Sequence, residues 1–171
     1  MCCFVENLFY LCAEYLIFYL MTNFTGAFDC KVDAKGRISL PTIFRRQMGE
    51  VEAYRFVIKK DLYEHCLELY TIEAWEELNR KIQNVIKTFN RSHRQLERDF
   101  RNGATEVECD PSGRILIPGR LLKQAEITSD ALLSGHYGKI EIWAPELYNN
   151  SGGDEEARQQ RFETIMGDIT L

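Results

Sequence analysis

The sequence is most informative at first for what it lacks. Its six cysteines include no C-x-x-C pair, so neither a zinc site nor a disulfide framework is signalled. Cys2, Cys3 and Cys12 fall in the first twenty residues, and Cys30, Cys66 and Cys109 read as small residues on or near strands in a reducing cytoplasm. The three histidines, His65, His93 and His136, are scattered, and none stands at a recognisable spacing from a carboxylate and a nucleophile. His65 beside Cys66 is the one pair to weigh as catalytic, but strand neighbours point to opposite faces. No catalytic residue, metal site, cofactor or small-molecule ligand is expected.

Positive charge is also scarce overall. Lys and Arg number 21 against 26 Asp and Glu, a net charge of −5, which at first sight argues against a polyanionic partner. The distribution reverses that inference. Residues 1–20 hold Glu6 and Glu14, and residues 146–171 hold six acids against Arg158 and Arg161, so the part between carries +1. Within residues 31–46, Lys31, Lys35, Arg37, Arg45 and Arg46 face only Asp33, a local +4; residues 108–123 reach only +1. Local field, not net charge, is what a polyanion meets.

Nor does the apolar start make a clear membrane segment. Residues 1–20 are mostly apolar and aromatic, but two acids interrupt them, with no Lys or Arg ahead and no small-residue cleavage site after. A span takes about twenty apolar residues with few or no charges. We read residues 1–20 as an extension upstream of a start at Met21, whose sequence leads directly into the first strand.

What the chain does contain is an internal repeat, which outranks single residues as evidence for fold. Asp33-Ala34-Lys35-Gly36-Arg37-Ile38-Ser39-Leu40-Pro41 returns 77 positions later as Asp110-Pro111-Ser112-Gly113-Arg114-Ile115-Leu116-Ile117-Pro118. In each, Asp opens a tight turn by accepting from amides two residues on, and Gly closes it with the positive φ of a type I turn followed by a bulge. Short strands follow to Pro41 and Pro118, then short amphipathic helices at Thr42–Met48 and Gly119–Ala125. A second echo, Leu67-Glu68-Leu69-Tyr70 with Ile140-Glu141-Ile142-Trp143, lies at an offset of 73. Each copy therefore reads strand, turn, strand, helix, strand, strand.

Between the copies, Glu73 to Arg101 reads as the longest helical stretch, with Trp75, Leu78, Ile82, Val85, Ile86 and Phe89 recurring at three or four. Its polar side carries Arg80, Lys81, Lys87, Arg91, Arg94, Arg98 and Arg101: a solvated face, or one that adds phosphate or subunit contacts. Beyond Tyr148 the chain turns polar and acidic, and a loosely attached helix is expected there.

Two copies of Asp-x-x-Gly-Arg followed by an apolar pair and Pro, a basic helix between them and Ile-Glu-Ile-Trp in the second copy resemble the MraZ family of bacterial transcriptional regulators, over about residues 21–148. The resemblance implies an α+β, β-rich fold of two AbrB/SpoVT-like swapped-hairpin modules, forming a pseudo-symmetric double-barrel-like domain with an intervening helix. It divides the chain into the extension at 1–20, modules at 24–72 and 104–148, a helical link at 73–103 and an acidic tail at 149–171. It also implies a cytoplasmic, nucleoid-associated homo-oligomeric ring that binds repeated boxes of double-stranded DNA in its own promoter, within a division and cell-wall gene cluster.

Asp33 and Asp110 can serve only to cap their turns, with Arg37 and Arg114 paired to them. That leaves Lys31, Lys35, Arg45 and Arg46 unexplained. The functional reading makes Lys35, Arg37, Arg114, Lys31, Arg45 and Arg46 the DNA-binding residues, with Asp33, Gly36, Asp110 and Gly113 orienting the turns; Asp then holds an Arg that reaches phosphate or guanine bidentately. Ser112 replaces Lys35 in the second copy, so the first is expected to dominate. The competing expectation is a protein-interaction module, antitoxin-like or scaffolding, on the same fold; an enzyme ranks third.

Overall fold

The computed structural model describes residues 22–49, 53–86, 90–153 and 155–167; the extension at 1–20 lies outside them. The first copy supplies β1 (Ala27–Lys31), β2 (Arg37–Ser39), α1 (Thr42–Gln47), β3 (Arg55–Lys60) and β4 (Cys66–Thr71). Helices α2 (Ile72–Val85) and α3 (Arg91–Arg101) follow. The second copy repeats the order as β5 (Thr105–Glu108), β6 (Arg114–Leu116), α4 (Gly119–Gln124), β7 (Asp130–Gly135) and β8 (Lys139–Trp143), and α5 (Pro145–Ser151) and α6 (Glu155–Gly167) end the chain.

Neither copy completes its own sheet. Strand β1 pairs antiparallel with β7 of the second copy, and β5 pairs with β3 of the first. One six-stranded sheet results, ordered β1-β7-β8-β4-β3-β5, and β2 pairs with β6 in a separate two-stranded ribbon. Exchanging the copies reverses the strand order without changing it, so the chain carries an internal twofold. This is the α+β, strand-rich architecture of two repeated modules that the family resemblance implies.

Ribbon and sheet enclose one apolar core. Ile38 and Ile115, on the inner face of the ribbon, join Phe56, Ile58, Leu67, Leu69, Ile140 and Ile142 of the sheet and Phe44 and Leu121 of the short helices. The alternation of the strands places them there. Strand β4 is buried along its whole length because its second face is covered as well. Trp75 of α2 and Phe100 of α3 stack at 5.2 Å and 11°, and Trp75 meets Tyr70 at 5.8 Å.

The single helical stretch expected from Glu73 to Arg101 is two helices. Ile86 leaves the helical conformation (φ −72°, ψ 121°), and the Asn90 side chain accepts from the amides of Ser92 (2.9 Å) and His93 (3.3 Å) to start α3. A β-branched end and an Asn cap outweigh a continuing apolar period. Val85, counted in that period, is exposed, as is Leu96 of α3; Lys87 and Phe89 lie outside the described residues. Part of the basic face is neutralised locally, since Arg80 and Lys81 pair with Glu77 and Arg101 with Glu97. The tail forms the helix α6, with Phe162 and Ile165 exposed. No helix among the described residues is long and apolar enough to cross a membrane.

Candidate nucleic-acid interface

Each end of the β2–β6 ribbon carries one copy of the Asp–Gly–Arg turn, and the two turns are built bond for bond alike. In the first, Oδ1 of Asp33 accepts from the amides of Lys35 and Arg37, both at 2.9 Å. In the second, Oδ1 of Asp110 accepts from Ser112 (2.9 Å) and Arg114 (3.0 Å). The Gly36 and Gly113 amides donate back to the Asp carbonyls at 2.9 and 2.8 Å, with φ of 82° and 76°. That left-handed backbone is open to Gly at little cost.

Oδ2 of each Asp receives the arginine. Arg37 donates to it from Nε at 2.7 Å and approaches it with Nη2 at 2.6 Å; for Arg114 the corresponding distances are 3.0 and 2.9 Å. The amide and guanidinium of Arg37 hold the Asp33 carboxyl down to about 2, and the same groups of Arg114 lower Asp110. Both carboxylates are thus charged at neutral pH. Among the described residues each guanidinium meets a side chain through its Nε–Nη2 edge alone, which leaves the two N–H groups of its outer edge parallel. That fork matches a phosphate, or O6 and N7 of guanine.

The ribbon's register sets what flanks each fork. Arg37 lies opposite Leu116 and Ser39 opposite Arg114, all four on the outer face. The turns are also tied across the twofold. The Leu40 amide donates to the Gly113 carbonyl and the Ile117 amide to the Gly36 carbonyl, both at 2.9 Å.

The other expected cations are distributed unequally. Lys35 is exposed beside the first turn, and Arg46 is exposed on the last turn of α1. Lys31 pairs with Asp130 at 2.5 Å. Arg45 crosses to the other copy: its guanidinium lies against Gly113, where an added Cβ would come within 2.9 Å, and Nη2 donates to Thr42 at 3.1 Å. Its twofold mate is Leu122, which lies against Gly36. The second turn, which has Ser112 in place of Lys35, is therefore backed by an arginine from the first copy. A cleft of about 510 Å³ opens there, lined by Lys31, Ser39, Thr42, Arg45 and Ser112.

A buried charge network on the other face of the sheet was not foreseen in the sequence. Glu68 accepts from Lys59 and Lys139, each at 2.6 Å, and from the Tyr70 hydroxyl at 2.8 Å. Lys139 also meets Glu141 at 3.0 Å, and Lys59 lies 5.2 Å from the centre of the Phe100 ring. The signal was the single charge in each of Leu67-Glu68-Leu69 and Ile140-Glu141-Ile142. His65 is exposed beside Glu126 whereas Cys66 is buried, and burial raises its thiol pKa, so the two form no catalytic pair. Among the described residues no cluster of His, Cys, Asp and Glu is suited to a metal ion.

Fold and site together define a tandem swapped-hairpin protein, with two interlocked copies sharing one outer ribbon. The sequence model of the family described as "MraZ protein, putative antitoxin-like" matches residues 23–99 and again 100–164, and the chain belongs to this family. It is similar to a transcriptional regulator MraZ of Flavobacterium psychrophilum, 33% identical over 87% of this chain and 95% of the relative. Proteins of the same name from Christiangramia forsetii (36% identical, 86% and 95%) and Bacteroides fragilis (37%, 85% and 92%) are comparably similar.

Proposed function

We propose that this protein is a transcriptional regulator, not an enzyme, that grips double-stranded DNA with the β2–β6 ribbon and its two turns. The observation that carries the reading is the pair of Asp–Arg turns, each presenting a guanidinium fork already oriented by a carboxylate. A two-stranded ribbon is narrow enough to enter the major groove. Lys31, Lys35, Arg45 and Arg46 surround it with the positive field that phosphates require, and the relatives' names support regulation of transcription.

One ribbon offers few phosphate contacts, and each contributes only about 0.9 to the salt slope. Repetition supplies the rest: a homo-oligomeric ring presents the ribbon many times to repeated boxes in the promoter of its own gene, within a division and cell-wall gene cluster, in association with the nucleoid. The first turn contributes most, having Lys35 where the second has Ser112.

The test is binding of the full chain to its own upstream DNA and to a scrambled duplex across a salt series, with Arg37→Ala and Arg114→Ala alongside. Sequence-preferring, steeply salt-dependent binding, weakened more by Arg37→Ala than by Arg114→Ala with assembly unchanged, is expected. Sequence-blind or absent binding in all three proteins would refute it and favour a protein-interaction module, with the Asp–Arg pairs as turn structure only.

A further inference from the structure

Leu116 stands out on the outer face of the ribbon. It is 56% exposed, directly opposite Arg37, and two residues along its own strand from Arg114 on the same face. A single exposed leucine is normally unremarkable, but here the repeat supplies an internal control. Its twofold mate is Ser39, 77 positions earlier on the other strand, equally outward and opposite Arg114. A serine satisfies the same backbone position in the same fold, so the fold does not require an apolar side chain at 116.

The surroundings limit what Leu116 can meet. It lies between two guanidinium forks whose outer edges need acceptors, so a partner must offer acceptors and an apolar group side by side. A surface that offers acceptors to a guanidinium and a methyl group to a leucine within a few ångströms is the major-groove edge of guanine near thymine. Residues opposed across an antiparallel pair have Cβ atoms about 5 Å apart, and successive bases rise about 3.4 Å. The methyl group therefore falls within about two base steps of the guanine that Arg37 addresses.

We propose that Leu116 is a specificity-determining residue that reads the thymine 5-methyl group beside the guanine bound by Arg37, so that the two ends of the ribbon have unequal sequence preferences. The inference rests on the DNA-binding reading above and deepens it. At the Arg114 end the hydroxyl of Ser39 takes the leucine's place, and a hydroxyl can pair with several base edges, so that end selects no methyl group.

The experiment uses the full chain and a duplex enriched by wild-type protein from a random-sequence pool, made once with thymine and once with deoxyuridine, which lacks only the methyl. Wild-type protein is expected to lose about fourfold in affinity on the change, the effect of withdrawing one methyl from an apolar contact. Leu116→Ser binds the two duplexes within about twofold, with its salt slope unchanged. Ser39→Leu acquires a second methyl dependence in its own enriched duplex. Because deoxyuridine also alters duplex stiffness, the difference between wild type and Leu116→Ser is the quantity that decides. An equal response of the two proteins, or none, overturns the assignment of Leu116 while Arg37-dependent binding leaves the regulator reading standing. No salt-dependent binding to any duplex overturns both.

Discussion

Glu68 lies at the centre of the sheet, and changing it to glutamine tests whether the buried charges hold the two copies together. The residue is 4% exposed and its two lysine partners come from different copies, Lys59 from β3 and Lys139 from β8. Burial alone would raise the Glu68 pKa; the bonds from Lys139 and Lys59 outweigh it and hold the pKa below its ordinary value. An amide keeps the shape but removes the charge and turns two donors toward an ammonium. Lys139 retains Glu141, whereas Lys59, 2% exposed, retains only the Lys60 carbonyl at 3.1 Å and the Phe100 ring. Leaving one buried charge without its partner costs about 3–5 kcal/mol. With a urea dependence of about 2 kcal/mol/M, the unfolding midpoint falls by about 2 M. Lys59→Met in the same chain removes the orphaned charge, and the remaining amide still accepts from Lys139 and Tyr70, so the double variant returns to within about 1 kcal/mol of wild type. A loss below about 1 kcal/mol in Glu68→Gln, or no recovery in the double variant, would refute the account.

Four further outcomes are expected. Asp33→Asn keeps an oxygen for the Lys35 and Arg37 amides but frees the guanidinium; affinity for random duplex rises and the specific-to-random ratio falls, read by competition binding. Gly36→Ala forces φ +82° on a side chain and brings a Cβ within 3.1 Å of the Ile117 carbonyl and 3.3 Å of Leu122, whereas Gly113→Ala meets the movable Arg45 tip. The first therefore lowers stability more, by about 2 against about 1 kcal/mol, in urea unfolding. Asp33 and Glu141 both sit at about 2, below ordinary values of 3.8 and 4.5; Arg37 holds the first, and at Glu141 burial is outweighed by bonds from His136 and Lys139. For such depressed groups the stabilisation is complete above the ordinary value and disappears as pH falls through the folded one, so stability measured against pH drops between about 4.5 and 2. Asn90→Ala removes the cap of α3 and costs about 1 kcal/mol, seen as lost amide protection confined to α3.

The two turns were legible because their hydrogen bonds are local: Asp33 and Asp110 bond only to residues two to four positions away, and Gly36 and Gly113 need nothing from afar for their φ. The inward positions of Ile38, Leu67, Leu69, Ile140 and Ile142 agree with strand alternation, whereas in the continuous run Ile115-Leu116-Ile117 only the structure shows Ile115 and Ile117 inward and Leu116 outward. The break between α2 and α3 was also written locally, in Asn90, but an apolar period of three or four counts side chains and ignores caps.

The sequence by itself determined that one unit occurs twice, which residues shape its turn, and where positive charge gathers. Only the tertiary structure decided that the units interlock, because strand pairing is a choice among backbone edges that look alike: β1 joins β7 and β5 joins β3, although each could be drawn beside its own copy. From that choice came the features no spacing announced. Arg45 backs the turn of the other copy, Lys139 reaches a glutamate 71 residues away, and Leu116 stands opposite Arg37, all of them contacts between residues far apart in the chain.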